Sequence, residues 1–543
     1  MEFQDNSIIN NIHESVRSLD IANVKKFKSF MRITKTEQAD NIMTQIRGHM
    51  VCWDKVVFYF NDIKKLWVQV DENQYTKFIY DFLLNTTKKV RKLMKKEDID
   101  DEERTKINTF LSGCFDADVY INTIIKRSFS LLYNSGFIPL LDSSKEYFPI
   151  KNGNKINFKT LEITPRTNKD LFTYESPVDY IDQTPNADKF FNQLFSDSDN
   201  REYVRKALGY MITAETMAQV FFIWYGFGSN GKSLLAKILE LILCKQYCQC
   251  DESVFIKHKK NSGQASPELM ALLGKRSGFY SEGDTADNVE MNESGLKRIS
   301  GEDKITGRYL YGQMLEFYPY VKLNMLTNFI PSLSADKAMK RRIRYIFFDK
   351  TFVHNPTKPN ELKIDQEFAD KVQAEYLSEI FSWIAKGAME FYRSKTINMS
   401  KEYVSRTEKL LSEGDSIECF LKRRVVKTNK YEDTIKKNEL FDIYKNFCNE
   451  NSQRCIARST LWARVSQNGI NTRPLHGYDV YYGVTIDFNK AIEEMIPIPN
   501  LKADAEPDYK ALYFDLLQKM NNKPQTEEED LEALEKELES KLK

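Results

Sequence analysis

The sequence predicts an α/β fold with a parallel sheet flanked by helices, and three observations in its middle third carry that prediction. Val220 to Tyr225, largely apolar and β-prone, runs into Gly226-Phe-Gly-Ser-Asn-Gly-Lys-Ser233, and a helix-patterned run, Leu234 to Leu243, follows. Strand-like runs recur at 275–281, 321–327 and 345–348, with helical text between them. Such alternation builds parallel sheets with helices on their faces. The carboxyl ends of these runs carry Gly226, Glu282 and Asn328, and open α/β sheets bind ligands at that edge.

The remaining elements follow in chain order. Residues 1–48 read as a polar, helical N-terminal extension without a strong apolar stripe. Residues 49–205 read as a helical and mixed domain. It holds aromatic text from His49 to Asp81, a charged stretch at 88–106, and the turn Lys151-Asn-Gly-Asn-Lys155 between short strands. Residues 206–395 contain the glycine loop and the predicted sheet. Within them Ser266-Pro-Glu-Leu-Met-Ala-Leu-Leu-Gly274 reads as a short helix, with Ser at N-cap, Pro at N1 and Gly at its end. In residues 416–490, two short helices (437–450 and 458–467) precede alternating text at 479–486, the order of a winged helix. Residues 499–543 form an acidic amphipathic tail, with a capping box at Thr526 and Glu529 and leucines at 531, 534, 538 and 542.

The glycine loop names a chemistry. Gly226, Gly228 and Gly231 let the backbone turn tightly and aim N–H groups at phosphate oxygens, with a helix N-terminus behind them. Phe227, Ser229 and Asn230 complete the loop, Lys232 reaches β- and γ-phosphates, and Ser233 can ligate Mg²⁺. Strand, loop and helix in this order form a Walker A phosphate loop, so ATP with Mg²⁺ is the expected ligand pair.

Composition narrows the rest. The net charge of +1 gives no global preference for nucleic acid. No apolar run approaches the roughly 20 residues of a membrane span, and the N-terminus lacks a signal-peptide core, so a cytoplasmic setting without membrane partners is expected. Cys244, Cys248 and Cys250 cluster without a fourth ligand nearby and read as reduced thiols. Asp116 and Asp118 have the spacing of a metal pair but sit in helical text, and Trp383 reads as core.

The loop in its G-x-G-x-N-G-K-S form resembles that of superfamily 3 helicases. More narrowly it is similar to the helicase region of the primase–helicase proteins of poxviruses, other large DNA viruses, phages and plasmids. Further segments match in order: Leu208-Gly-Tyr210, Gly274-Lys-Arg276 with Glu282, Leu296 to Asp303 with Gly307 to Tyr311, Leu323 to Pro331, and Lys340-Arg-Arg-Ile343.

The resemblance implies an AAA+-like P-loop ATPase between a helical collar and a winged helix. It also implies a homo-hexameric replicative helicase that moves 3′→5′ on single-stranded DNA and opens forked duplex, with priming left to a separate primase or polymerase. Glu282 would hold Mg²⁺ or polarise the attacking water, although Ser281 stands where many members carry a second acid. Asn328 would be the polar sensor. Arg341 or Arg342 would be the arginine finger offered to a neighbouring subunit's ATP. Lys297, Lys304 and Arg308 would grip the strand from a channel hairpin. Two other classes fit the same residues: an AAA+ ATPase that remodels or packages nucleic acid without unwinding, and a DNA-binding initiator gated by nucleotide.

Overall fold

The computed structural model describes residues 8–53, 56–115, 118–257, 266–281, 291–308, 314–328, 331, 333, 337–414, 416–428, 430–450, 455–456, 458–475 and 477–487. Glu282, the tip of the 305–317 hairpin and the acidic tail lie outside them. Contacts divide the chain into two units, one of residues 1–419 with 443–458 and one of residues 420–442 with 459–543.

The first unit centres on a five-stranded parallel sheet. Its order is Ile343–Phe347, Phe221–Tyr225, Lys322–Thr327, Ser277–Ser281 and Tyr247–Gln249. Phe221–Tyr225, here the loop strand, thus lies between strands that follow it by about a hundred residues. Its Phe221, Phe222, Ile223 and Trp224 are fully buried, and every residue of Lys322–Thr327 is buried. Burial on both faces explains why these strands read as continuous apolar runs. The polar residues of the central strand are satisfied internally. Asn324 accepts from Trp224 Nε1 at 3.2 Å and donates to the Lys322 carbonyl at 2.9 Å. Lys322 Nζ donates to the carbonyls of Thr213 and Tyr320.

Two helices pack against each other in the same core as the sheet. The lead-in helix Ser198–Ile212 delivers the chain toward the loop strand, and the closing helix Leu377–Ser394 packs across it. A Cβ on Gly209 would stand 2.1 Å from the Ala388 nitrogen, and one on Gly387 would stand 2.0 Å from the Arg205 carbonyl oxygen. The crossing therefore needs glycine on both sides. Trp383 is core, as expected, with its ring stacked on Phe191 at 3.7 Å.

The amino-terminal region corrects one expectation. Helices Val24–Arg32 and Lys35–Ile46 share a buried core with the sheet Met50–Trp53, Val56–Asn61 and Leu66–Val70 and with helices Glu72–Lys96 and Asp118–Leu131. Packing is continuous across residue 48. The apolar stripe is disguised by Gln38, which is buried; it donates to the Phe30 and Ile33 carbonyls and accepts from Tyr120 Oη at 2.8 Å. Asp118 accepts from Tyr80 Oη at 2.6 Å, a structural tie. Asp116 lies outside the described residues.

Arg276 joins the strands before the lead-in helix to the sheet. It donates to the Ile212 carbonyl at 2.7 Å and to those of Ser144 and Tyr147 at 2.8 and 2.7 Å. The helix expected from Ser266 is shorter than its text, Pro267–Met270, and Ser266 does not cap it. Its hydroxyl accepts instead from the Arg308 N–H at 3.1 Å, at the tip-ward end of the hairpin strands Ile305–Arg308 and Met314–Phe317.

In the second unit Thr434–Lys436, Tyr478–Tyr482 and Thr472–Leu475 form an antiparallel sheet with Tyr478–Tyr482 central, and Val425–Lys427 pairs with Val484–Ile486. Helices Lys437–Glu450 and Arg458–Gln467 have the expected bounds, with residues 443–458 counted in the first unit. Among the described residues, no helix is long and apolar enough to cross a membrane.

The helix crossing yields a direct test. Gly387→Ala is expected to destabilise the first unit by about 1–3 kcal/mol, because its methyl meets backbone rather than a yielding side chain. Urea denaturation followed by tryptophan fluorescence measures this. A midpoint equal to that of the parent protein would show that the helices can separate at no cost.

Candidate functional site

The loop Gly226–Gly231 caps the carboxyl end of the loop strand, and its conformation follows from sterics. A Cβ on Gly226 would fall 2.5 Å from the Phe348 carbonyl oxygen and 2.4 Å from Asn230 Nδ2. Gly231 has φ +87°, and a Cβ there would press on Leu194 at 2.6 Å. Both positions require glycine. Gly228 meets nothing within 4 Å, so its freedom is used toward solvent.

The loop is pinned from outside. The Phe352 N–H donates to the Ser229 carbonyl at 2.7 Å, and Asn230 Nδ2 reaches the Phe348 carbonyl at 3.4 Å. Asn230 Oδ1 accepts from the Lys232 N–H at 3.4 Å. The asparagine of the loop motif therefore braces the turn. Phe227 projects from the tip and is 72% exposed.

Lys232 opens the helix Lys232–Leu243 and is buried. Its Nζ donates to the Gly226 carbonyl and, at 3.0 Å, to Asn328 Oδ1. Asn328 follows the strand Lys322–Thr327, so two of the three predicted strand-end residues meet in one cluster. Both acceptors are neutral, and burial pushes the Lys232 ammonium down to about 8. A buried cation held by neutral oxygens has room electrostatically for an anion. Ser233 is exposed in the first turn beside it, offering a hard oxygen donor of the kind Mg²⁺ takes. Glu282, the expected partner in metal binding, lies outside the described residues.

A cavity of about 260 Å³ opens next to the loop. Leu194, Phe352 and Phe368 line it together with Ser229, Gly231 and Asp365. Asp365 also caps helix Gln366–Ala374, accepting from the Phe368 N–H at 2.9 Å. Sequence reasoning missed this wall, because it is assembled from segments on both sides of the loop and more than a hundred residues apart. The one available signal was the need for glycine at 231, which implies a close neighbour without naming Leu194.

The predicted arginines lie elsewhere. Ile343 pairs with Phe221 and Phe347 with Tyr225, so Arg341 and Arg342, ending helix Lys337–Arg342, stand at the amino edge of the sheet. Five residues at about 3.3 Å each separate that edge from the loop. Arg341 donates to Gln219 Oε1 at 3.3 Å, and Arg342 to the Ala338 carbonyl at 3.1 Å. Within one chain they do not join the Lys232 cluster.

Of the predicted strand-gripping residues, Lys304 and Arg308 belong to the hairpin, and Lys297 lies on the preceding helix Glu293–Ile299. Lys304 pairs with Glu316 at 3.3 Å, Lys297 with Glu293 at 3.6 Å, and Arg308 closes the described part of the first hairpin strand.

Comparison with known proteins bears out the resemblance. No family model matches the chain. It is 26% identical over 253 residues to "Putative helicase L207/L206" of Acanthamoeba polyphaga mimivirus, covering 45% of this chain and 26% of that protein. It is 24% identical over 353 residues to "Putative helicase 121R" of invertebrate iridescent virus 3, covering 60% and 37%. Against "Putative primase C962R" of African swine fever virus (isolate Pig/Kenya/KEN-50/1950) it is 22% identical over 351 residues, covering 62% and 36%. The chain thus spans about a quarter to two fifths of the length of these relatives. Among solved structures it is similar to the apo C-terminal region of NrS-1, with a TM-score of 0.39 and 13% identity, over 63% of this chain and 83% of that one.

The Lys232 environment predicts a proton signature. The lowered value means that between pH about 8 and the ordinary 10.5 the folded protein releases a proton that the unfolded chain keeps. The cost of burying the ammonium is full below pH 8 and fades as pH rises through that window. A polyphosphate anion at the loop restores the charged form. Calorimetry of nucleotide binding at pH 9, in buffers of different ionisation enthalpy, should register proton uptake of up to about one per site. At pH 6.5 Lys232 should contribute none. Absence of uptake at pH 9 would mean that the anion does not reach Lys232.

Proposed function

We propose that this protein is an ATP-dependent, ring-forming replicative DNA helicase that translocates on single-stranded DNA, 3′→5′, and opens forked duplex. The observation that carries the nucleotide half of this reading is the Lys232 cluster: a buried ammonium beside a sterically required glycine loop, shared between Gly226 and Asn328. The names of the relatives support the DNA half.

In this reading the triphosphate lies in the loop with its oxygens toward Lys232 and the N–H groups leading into the helix. The base and sugar enter the cavity beside Leu194, Phe352 and Phe368. Ser233, with Glu282, would hold Mg²⁺, which neutralises charge on the β- and γ-oxygens when bound. Lys232 would exchange its hydrogen bond to Gly226 for one to phosphate. Asn328, released in part from Lys232, would orient the attacking water. Arg341 or Arg342 would act on the ATP of a neighbouring copy, since neither reaches the loop of its own chain. A homo-hexameric ring supplies that neighbour, and Lys297, Lys304 and Arg308 would line its channel and hold the strand's phosphates. A separate primase or polymerase would be the natural partner.

Three measurements test the reading. Lys232→Ala should lower ATP hydrolysis by at least about 100-fold, in line with loss of one preorganised charge-stabilising donor; near-normal turnover would remove the site assignment. The parent protein should displace a strand from forks of one polarity, whereas DNA-stimulated hydrolysis without displacement would favour remodelling or packaging. Alanine at the true finger should spare ATP binding and remove roughly a thousandfold or more of turnover. If Arg341→Ala and Arg342→Ala both hydrolyse normally, the site is complete within one chain.

A further inference from the structure

The second unit carries a cleft of about 220 Å³, lined by Lys427, Tyr431, Ile470, Asn471 and Tyr482 with three glycine and valine neighbours. Two tyrosine rings meet in its wall, Tyr431 and Tyr482, with centroids 5.1 Å apart and planes inclined by 56°. Tyr431 is 62% exposed, a high value for an aromatic ring, yet it is held in place. The Arg473 guanidinium lies over its ring at 4.0 Å and donates to the Tyr431 carbonyl at 3.0 Å.

Cations border the cleft. Lys427 Nζ is fixed by the Asn468 carbonyl at 2.6 Å, and Lys430 lies one residue before Tyr431. Glu432 and Asp433 follow directly, so the 430–433 turn carries both signs of charge, whereas Lys427 and Arg473 add only positive charge. Gly469 also lines the cleft, and its φ of +77° is what favours glycine there.

An exposed ring beside a half-buried one, two fixed cations at Lys427 and Arg473, and an amide at Asn471 suit a flat, hydrogen-bonding group attached to an anion. We propose that this cleft binds an unpaired nucleotide of a single strand, its base against Tyr431 and Tyr482 and its phosphate toward Lys427, Lys430 and Arg473. Stacking on an exposed ring requires an unpaired base, because duplex bases offer no free face. The volume is below that of pockets for drug-sized ligands, which fits one base with its sugar.

A strand fits better than a free nucleotide because the arrangement repeats. At the start of the same β-strand, Tyr478 is 57% exposed with Lys436 Nζ 4.3 Å from its ring centroid. Two exposed tyrosine–cation pairs, one on this sheet and one in the turn that leads into it, match the repeating base and phosphate of a chain. This site is separate from the phosphate loop and does not depend on the nucleotide reading.

The test uses the full chain without ATP and a short oligothymidine carrying 5-iodouracil. Irradiation followed by peptide mass spectrometry should place the crosslink on Tyr431 or Tyr482. By fluorescence anisotropy, Tyr431→Ala should weaken oligothymidine binding at least about fivefold, as loss of one stacked base does, and Tyr431→Phe should keep it. Duplex binding and DNA-free ATP hydrolysis should be unchanged in both variants. Crosslinks confined to other peptides, or affinity within twofold for Tyr431→Ala, would overturn the proposal. Equal loss on blunt duplex would reassign the cleft to duplex phosphates. Displacement of the oligonucleotide by equimolar thymidine monophosphate would reassign it to a free nucleotide.

Discussion

The glycine-on-glycine crossing of helices Ser198–Ile212 and Leu377–Ser394 is the constraint on which the rest of the first unit depends. With Gly209 against the Ala388 backbone and Gly387 against the Arg205 carbonyl, the two helices sit at backbone contact. That closeness sets the height of the lead-in helix over the sheet, and so the point where the chain enters the loop strand. The same helix end supplies the Ile212 and Thr213 carbonyls that receive Arg276 and Lys322. Two strands of the sheet are thereby tied to one helix terminus by buried cations. Each has lost its water, and burial holds both below their ordinary values. Their stability rests on carbonyl dipoles rather than on paired carboxylates, an arrangement that tolerates little displacement.

At the opposite edge of the sheet, rigidity serves a different end. Ser229 and Gly231 both adopt positive φ, at 56° and 87°. Such a turn persists only where surrounding bonds over-determine it, and here Phe348 and Phe352 do so from the segment that follows the last strand. The loop is therefore shaped before any ligand arrives. Lys232 is the exception to this economy of satisfied groups: its acceptors are adequate in geometry and deficient in charge. The contrast with Lys322 is informative. Both are buried lysines bonded to neutral oxygens, but Lys322 is enclosed by carbonyls, whereas Lys232 stands at the mouth of a loop beside exposed Gly228 and Ser233.

What could be read from the sequence divides along the same physical lines. The loop was legible because steric necessity writes glycine at 226 and 231, and because two-sided burial writes the strands as unbroken apolar runs. Asn328 was legible from its place at a strand end. The cavity wall was not, since Leu194, Phe352 and Phe368 are ordinary core residues until the fold brings them together. The amino-terminal core was obscured by Gln38, whose side chain replaces an apolar contact with three hydrogen bonds. Ser266 misled for a related reason: a serine before Pro267 reads as a cap, yet its hydroxyl is taken by the hairpin.

The position of the arginines bears on how the candidate site would work. Parallel strands set Arg341 and Arg342 at the amino edge and Lys232 at the carboxyl edge, and no side chain spans that interval. In the proposed reading, any charge they lend to a phosphate would go to another molecule's loop, presented edge to edge. A contact that joins one edge of a molecule to the opposite edge of the next is heterologous, and such contacts close into rings or continue as filaments. Phe227, exposed at the loop tip, would lie within that contact, where an apolar ring is better covered than wet. In such an arrangement the finger and the loop belong to different bodies, so hydrolysis would be coupled to the motion of one against the other.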